Sequence, residues 1–245
     1  MSRRAAFQAN AEARSARLDA EASQIRAALF SSVTHDLRTP LASIKAGVTS
    51  LLEQGVVYDA GQQKELLGAM LEETDRLNRL VGNLLHLARV RAGALVPAKQ
   101  LVPFDDIVEA VLTRMKGALA PFTVRTMIRP DAPAIWVDPI QIDQVLTNVL
   151  ENAVRYSPPG GEIQISVAPW QDGVQVRIAD QGPGIAPEER EHVFEAFVKG
   201  PGGATGLGLS IARAVVAAHD GKIWAEGTPS GGTAIVFQLP MGGSA

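Results

Sequence analysis

The segment from His35 to Pro40 brings together side chains that could perform nucleophilic chemistry. Asp36 can accept a hydrogen bond from one imidazole nitrogen of His35, which leaves the other nitrogen unprotonated and nucleophilic. Thr39 follows one helical turn later, on the same face as His35. Pro40 removes a helical hydrogen bond at a cost of about 3 kcal/mol, so a bend beside the histidine is expected. From its position alone, His35 could equally be an exposed histidine without a chemical role.

Two carboxamides, Asn148 and Asn152, are four residues apart and share one face of a predicted helix. Two amides on a helix are often only surface polar groups, so the pair alone does not define a site. A carboxamide oxygen is nevertheless a suitable ligand for Mg²⁺, which takes few protein ligands and relies on phosphate oxygens. Arg155 and Tyr156 follow at the end of the same helix, where the tyrosine by itself indicates packing rather than chemistry.

A third candidate is the Asp-Gln-Gly-Pro-Gly segment that begins at Asp180. Strand alternation places Asp180 on the same face as the apolar residues of the preceding strand. A carboxylate that faces the core is costly without a partner, and the amino group of adenine is such a partner. Gly182 and Gly184 would let the backbone approach the base closely. An ordinary Asp-Gly turn is the alternative interpretation.

Gly206 and Gly208 open another predicted helix, whose first backbone amides can hold phosphates. The segment is not a P-loop, because no Gly-Lys-Ser/Thr follows the glycines. Phe194 and Phe197 precede it and are expected either to anchor a lid or to pack in the core. Near the C-terminus, residues 231–233 form a Gly-Gly-Thr segment that fits a further glycine motif or a plain turn.

Two long helices are predicted to position His35. Their apolar residues recur three or four apart, and the first seam is roughly 80° wide, like that of a helix bundle. His35 points about 160° away from this seam, toward solvent. The pattern breaks at residues 55–61, which predicts an antiparallel hairpin, and two hairpins would bury their seams by pairing in a four-helix dimer. The seam residues are Phe30, Val33, Leu37, Leu41, Ile44, Val48, Leu51, then Leu66, Met70, Thr74, Leu77, Val81, Leu84 and Ala88.

Prolines 97 and 103 mark a boundary, after which short strands and helices alternate. The pattern predicts an α+β sandwich with helices on one face of a mixed sheet. Its longest helix has Asp138 as N-cap and proline in the first turn. Helices are predicted over residues 106–119, 139–156 and 207–218, and strands over residues 122–128, 135–137, 162–167, 174–180, 223–226 and 233–239, with an Asp172-Gly173 hairpin turn.

Composition excludes several classes of protein. The net charge is −3, and 23 basic and 26 acidic residues are interspersed, so no basic nucleic-acid-binding face is expected. The absence of cysteine excludes disulfides and thiolate metal sites and is consistent with a reducing cytoplasm. No run of roughly 18 apolar residues is present, and the N-terminus lacks the apolar core of a secretory signal. If the parent protein is a membrane receptor, its sensor region is expected upstream of this chain.

The remaining histidines, His86, His192 and His219, have no metal-binding spacing, so no zinc site is predicted. His219 lies at a helix end, where a protonated imidazole would interact favourably with the macrodipole.

Taken in order, these segments resemble the H, N, G1, F and G2 boxes of sensor histidine kinases of two-component systems. The pattern His-Glu/Asp-x-x-Thr-Pro matches residues 35–40 without a gap, and the resemblance extends from about residue 28 to residue 240. Residues 30–34 and 41–45 further resemble kinases of the potassium-sensing Kdp type. The resemblance implies a dimeric helical hairpin followed by an ATP-binding domain of the Bergerat (GHKL) fold.

The resemblance also implies roles for individual residues. His35 would accept the phosphoryl group, Asp36 would act as general base, and Thr39 would position water for dephosphorylating a partner's aspartate. Asn152 would bind Mg²⁺, and Lys199 lies where the family often has a basic residue on the γ-phosphate. The residues implied to contact ATP are Asn148, Asn152, Arg155, Tyr156, Asp180, Gly182, Gly184, Lys199, Thr205, Gly206, Leu207, Gly208 and Leu209.

The implied function is ATP-dependent autophosphorylation of His35, followed by transfer to an aspartate of a response-regulator receiver domain. Two alternatives are a GHKL-type ATPase and a non-catalytic dimeric scaffold. Related ATPases usually carry a glutamate where this chain has Asn148, which argues against hydrolysis. A cytoplasmic homodimer is expected, with membrane attachment only through an upstream sensor. The expected domains are a signalling helix or linker (1–28), a dimerisation and phosphotransfer domain (29–94), an ATP-binding domain (100–240) and a tail (241–245).

Overall fold

The computed structural model describes residue 34 and residues 37–53, 58–91, 95–171, 173–198, 200 and 206–242. The chain divides into two compact units, one ending at Val81 and one beginning at Gly82. The predicted helix over residues 5–29 and the first seam residues, Phe30 and Val33, lie outside the described residues.

The first unit is built from two helices, α1 (residues 37–52) and α2 (Ala60–Arg91), and α2 continues into the second unit. Gly47 of α1 lies against Met70 of α2, since a Cβ at Gly47 would be 2.8 Å from the Met70 sulfur. Ser50 and Tyr58 share a hydrogen bond across the connection. These contacts confirm a helical N-terminal region, and Pro40 is buried within α1.

Much of the apolar surface of this hairpin stays exposed within one copy of the chain. Leu41 of the predicted seam is 60% exposed, and Leu67 and Leu71 are 56% and 63% exposed. Other seam residues, such as Ile44 and Leu77, are only half-buried. A single hairpin therefore leaves its apolar residues incompletely covered, as expected for helices that pair with a second hairpin. No helix in the described ranges has an apolar stretch of the length that a bilayer requires.

The second unit contains a mixed five-stranded sheet and a separate two-stranded sheet. The order of the larger sheet is β2-β4-β5-β7-β6, in which β2 and β4 are parallel and the other pairs antiparallel. The strands are β1 (Gln100–Val102), β2 (Thr123–Ile128), β3 (Ile135–Val137), β4 (Glu162–Trp170), β5 (Gly173–Ala179), β6 (Lys222–Gly227) and β7 (Thr233–Pro240). The helices are α3 (Phe104–Arg114), α4 (Lys116–Leu119), α5 (Pro139–Tyr156) and α6 (Gly208–Ala218), with a short 3₁₀ turn at His192–Phe194.

The core lies between the large sheet and the helices. Alternate residues of β4 and β5 face it, including Ile165 paired with Ile178. Val149 of α5 and Ile211 of α6 are fully buried on the facing helices. This arrangement confirms the predicted α+β sandwich with helices on one face of a mixed sheet.

Helix α5 begins and ends where the sequence predicts. The Asp138 carboxylate accepts hydrogen bonds from the backbone amides of Ile140 and Gln141 at 3.1 and 3.2 Å, and Pro139 occupies the first turn. Strong local signals therefore fix this helix before any tertiary contact is considered.

Three elements differ from the prediction. Strand β1 was not predicted, and its three residues owe their conformation to antiparallel pairing with β3. The single helix predicted over residues 106–119 starts earlier and is divided by a turn at Met115, whose side chain is buried. Strand β4 extends to Trp170, because every residue of β5 pairs with a residue of β4.

The predicted interaction of His219 with the helix macrodipole depends on protonation, and the structure disfavours the protonated form. The His219 side chain is 2% exposed, where a protonated imidazole would be costly. Nε2 accepts a hydrogen bond from the Asp138 backbone amide at 3.0 Å, and Nδ1 donates one to the Val215 carbonyl at 2.9 Å. Burial, the largest effect, lowers the pKa of His219 below its ordinary 6.5. The imidazole is neutral and offers no charge to the helix macrodipole.

This burial predicts a pH dependence of stability. An unfolded histidine takes up a proton near pH 6.5, whereas folded His219 resists it, so stability is complete above that pH and falls as the pH drops below it. When the pH falls from about 7.5 to about 5.5, the free energy of unfolding of His219→Gln should decrease by about 1 kcal/mol less than that of the wild type. Urea unfolding at the two pH values measures this. His192→Gln, at an exposed histidine, should behave as wild type, and equal losses in all three proteins would contradict the prediction.

Candidate functional site

Asp180 lies immediately after β5 and is 9% exposed. Its Oδ1 accepts hydrogen bonds from the backbone amides of Gly182 at 2.8 Å and Thr233 at 3.2 Å. Burial raises the pKa of Asp180, and the two amide hydrogen bonds oppose that shift. Within the described ranges no basic side chain pairs with this carboxylate, and both hydrogen bonds go to Oδ1. Oδ2 therefore remains as an acceptor for a ligand.

Glycines allow the backbone to pack closely around Asp180. A Cβ at Gly232 would lie 2.0 Å from the Asp180 carbonyl oxygen, and one at Gly182 would lie 2.9 Å from the Tyr156 carbonyl oxygen. Gly184 has a φ of +78°, and a Cβ there would lie 2.5 Å from the Gly231 carbonyl oxygen. The Gly-Gly-Thr segment is thus part of the site, a role that its sequence left open.

Helix α5 carries the predicted polar residues along this site. Asn148 is 5% exposed, and its Nδ2 is a buried donor without a hydrogen-bond partner among the described residues. Such a donor costs about 1–3 kcal/mol unless a ligand or water satisfies it. Asn152 and Tyr156 are half-buried one and two turns further on, and Arg155 is exposed.

The start of α6 meets the same helix. A Cβ at Gly208 would lie 3.6 Å from the Asn148 Cβ, an ordinary contact distance. No side chain among the described residues caps the N-terminus of α6, so its first amides can bind an anion. Leu207 is fully buried, and the Ser210 hydroxyl donates to its carbonyl at 2.9 Å. Leu209 is half-buried in the first turn of α6.

Phe197 and Gly206 are joined by a backbone hydrogen bond just before α6. The Phe197 amide donates to the Gly206 carbonyl at 2.7 Å, and Gly206 has a φ of +69°. Phe197 also lies in the left-handed region, with a φ of +72°. Phe194 is buried, with the Arg213 guanidinium 5.9 Å from its ring centroid, so it belongs to the core. Gly200 approaches the Tyr156 hydroxyl, which a Cβ at Gly200 would meet at 2.6 Å.

Four predicted residues lie outside the described part of the chain: His35, Asp36, Lys199 and Thr205. Their roles stay predictions. Thr39 is exposed on α1. No group of three or more His, Asp or Glu residues within the described ranges could hold a metal ion.

The site forms along α5. Asn148 lies at the α6 amides, and Tyr156 lies beside the Asp180 loop. Tyr156 follows Asn148 by eight positions in α5, which corresponds to a rise of about 12 Å along the helix. A buried acceptor at one end and uncapped helix amides at the other suit an extended purine nucleotide. The amino group of adenine fits Asp180, and the phosphates fit the N-terminus of α6.

Two family models match the chain. The first, described as histidine kinase-, DNA gyrase B-, and HSP90-like ATPase, matches residues 137–243. The second, the His Kinase A (phospho-acceptor) domain, matches residues 25–93. The first match indicates that the second unit uses ATP.

Similar proteins carry related names. Sensor protein KdpD of Clostridium acetobutylicum is 31% identical over 235 residues, which are 94% of this chain and 26% of that protein. The mycobacterial sensor histidine kinase MprB has a structure with 30% identity and a TM-score of 0.54, covering 58% of this chain and 97% of that one. Full-length ShkA in complex with AMPPNP has 28% identity and a TM-score of 0.65, covering 88% of this chain and 46% of that one. This chain spans about a quarter of the length of KdpD.

The site predicts opposite effects of Asp180→Asn on stability and on binding. Because the pKa of Asp180 is raised above 3.8, ionisation costs stability as the pH rises from that value. Asparagine keeps an oxygen for the two amides and removes the buried charge. At neutral pH the ligand-free variant should be as stable as wild type or more so, with a gain of about 1 kcal/mol that disappears near pH 4. Its affinity for AMPPNP should fall about 10- to 100-fold.

Denaturant unfolding and calorimetric titration measure the two effects. Asp131→Asn is the matched control, since Asp131 is exposed and pairs only with Arg129 at the surface. Wild-type affinity in Asp180→Asn, or a large loss of its stability at neutral pH, would contradict the assignment.

Proposed function

The chain belongs to the sensor histidine kinase family, and on this premise we propose that it transfers the γ-phosphoryl group of ATP to His35 and then to an aspartate of a receiver domain. The family was predicted from the sequence motifs, and the comparisons confirm it. The observation that carries the proposal is the buried Asp180 carboxylate, fixed by two backbone amides with one oxygen left for a base.

ATP binds along α5 in this proposal. Asp180 accepts a hydrogen bond from the amino group of adenine, while Gly182 and Gly184 let the backbone pack closely around that carboxylate. The phosphates lie at the N-terminus of α6, where Asn148 Nδ2 donates to a phosphate oxygen and loses its unsatisfied state. Support comes from the solved relative that holds AMPPNP, an ATP analogue.

Mg²⁺ would be held by Asn152 and the phosphates. Asn152 follows Asn148 by one turn, and its half-buried carboxamide oxygen suits a cation that keeps most of its coordination for water and phosphate. The bound ion would neutralise charge on the phosphates.

The transfer step is a displacement at phosphorus. An unprotonated ring nitrogen of His35 attacks the γ-phosphorus, the bond to the β–γ bridging oxygen breaks, and ADP leaves. Asp36 keeps that nitrogen unprotonated through a hydrogen bond to the other one. The N–P bond then breaks when an aspartate carboxylate of the receiver domain attacks the phosphorus. In this proposal Thr39 positions a water molecule that hydrolyses the phosphorylated aspartate of the receiver domain, which regenerates the carboxylate and releases inorganic phosphate.

Hydrolysis of ATP is the second candidate function, and Asn148 argues against it. General-base activation of water needs a group that can accept a proton, and a carboxamide cannot do so at neutral pH. The buried side chain of Asn148 offers a donor to the phosphates instead. A non-catalytic scaffold would have no use for a nucleotide site of this kind.

The hairpin mediates homodimerisation in this proposal. The exposed leucines of α1 and α2 need a cover, and a second hairpin supplies one of matching character. Residues 29–94 would then form the dimerisation and phosphotransfer domain, and residues 100–240 the ATP-binding domain. The kinase would act in the cytoplasm, where ATP and receiver domains are found.

The proposed function predicts separate effects of two substitutions. His35→Gln should abolish acid-labile phosphorylation by radiolabelled ATP, because the nucleophile is gone, and should leave AMPPNP affinity within about twofold of wild type. Asn152→Ala should lose Mg²⁺-dependent phosphorylation while the dimer persists in light scattering. His192→Gln, at an exposed histidine of the other unit, is the control and should be phosphorylated normally. Phosphorylation retained in His35→Gln would refute the assignment.

A further inference from the structure

The Asp138 carboxylate joins two segments of the chain that are far apart in sequence. Oδ1 accepts from the backbone amides of Ile140 and Gln141, which caps α5. Oδ2 accepts from the side chain of Gln141 and from the backbone amide of Ala98, both at 3.0 Å. One buried carboxylate therefore accepts four hydrogen bonds, and one of them comes from the segment that follows α2.

His219 holds Asp138 from the other side. A backbone amide can only donate, so Nε2 of His219, which meets the Asp138 amide, must be unprotonated. Nδ1 carries the proton, because its partner is the Val215 carbonyl. The geometry assigns a single neutral tautomer and links the C-terminus of α6 to the N-terminus of α5.

A surface ion pair adds a second tie between the same segments. Lys99 Nζ lies 3.1 Å from Asp220 Oδ2, next to His219 in sequence. Asp220 is largely exposed, so this pair contributes little by itself. It nevertheless places Lys99 beside the end of α6, while Ala98 lies beside the start of α5. Lys99, Asp138 and Asp220 are the charged groups that act on His219.

These contacts lie within the second unit, in the segment that follows α2. Residues 95–99 lie between α2 and β1, and β1 pairs with β3, the strand that leads directly into Asp138. Helix α5 begins after Asp138 and carries Asn148 and Asn152. The connecting segment is thus tied to the same residue that starts the nucleotide helix.

We propose that Asp138 and His219 are positioning residues that fix the connecting segment to the start of α5, so that the ATP-bearing unit is held at a defined point on its tether during phosphoryl transfer. The proposal rests on the proposed function. A loosened anchor leaves the nucleotide contacts near Asn148 and Asp180 in place, because these lie about 15 Å further along α5 or across the sheet. It enlarges the range of orientations in which the γ-phosphate meets His35, and positioning is the main contribution to such a reaction.

The test compares three variants with the wild type in the full chain. His219→Leu removes both hydrogen-bonding groups, whereas His219→Gln supplies one acceptor and one donor and restores them. Ala98→Pro removes the amide that donates to Asp138, at an exposed position. His192→Leu, at an exposed histidine, is the matched control.

Two readouts are measured: amide hydrogen exchange at Ala98 and Asp138 by NMR, and phosphorylation rate at saturating ATP beside AMPPNP affinity. In His219→Leu, protection of both amides should fall about 10-fold or more, and His219→Gln should recover it. In His219→Leu and Ala98→Pro, the rate should fall about 10-fold while AMPPNP affinity stays within about threefold of wild type.

Unchanged amide protection in His219→Leu would overturn the proposal. So would a parallel loss of rate and nucleotide affinity in Ala98→Pro, which would indicate a purely structural role. If His219→Leu does not fold, the rate and affinity of Ala98→Pro decide the matter. Absence of phosphohistidine in the wild type would instead refute the proposed function, and the exchange data would still decide whether His219 and Asp138 fix the connecting segment.

Discussion

The nucleotide site depends on one constraint: the carboxylate of Asp180 is buried, and no basic side chain in the described part of the chain pairs with it. Ionised Asp180 is costly in the core, and two backbone amides offset only part of that cost. The amides come from different elements, the loop after β5 and the start of β7, so the carboxylate is fixed by the β5–β7 pairing itself. Both hydrogen bonds go to Oδ1, so Oδ2 keeps its capacity to accept a hydrogen bond from an amino group.

At the other end of the site, the groups that a ligand can satisfy are donors rather than an acceptor. Asn148 offers a buried donor without a partner, and the uncapped amides of α6 lie beside it. An anion satisfies both at once. Because α5 carries Asn148 near its middle and Tyr156 at its end, one helix would set the distance between the base end and the phosphate end of the proposed site.

Local signals in the sequence predicted the elements whose ends are fixed by side chains or by strict alternation. Asp138 followed by proline fixed α5, and the alternation around Ile165 and Ile178 located β4 and β5. Tertiary pairing decided what was missed. Strand β1 owes its conformation to its pairing with β3, and the burial of His219 depends on how α6 packs against the start of α5.

The same distinction applies to the site. Asp180 was recognisable because a carboxylate on an apolar strand face is unusual, and its burial confirmed the expected orientation. Thr233 was not recognisable as its partner, since the sheet register that joins Ala179 to Ala234 is not written in either segment alone. The Gly-Gly-Thr segment could be noticed but not interpreted for the same reason. His35 and Asp36 stand on their sequence motif, outside the described residues.

The most direct measurement of the central claim is the discrimination between ATP and inosine triphosphate, by calorimetric titration of the wild-type chain. The two nucleotides differ at purine position 6, where an amino donor is replaced by a carbonyl acceptor. If the free oxygen of Asp180 receives the adenine amino group, inosine triphosphate should bind about 100-fold more weakly or worse, because two acceptors would then face each other. Equal affinities for the two nucleotides would contradict the account.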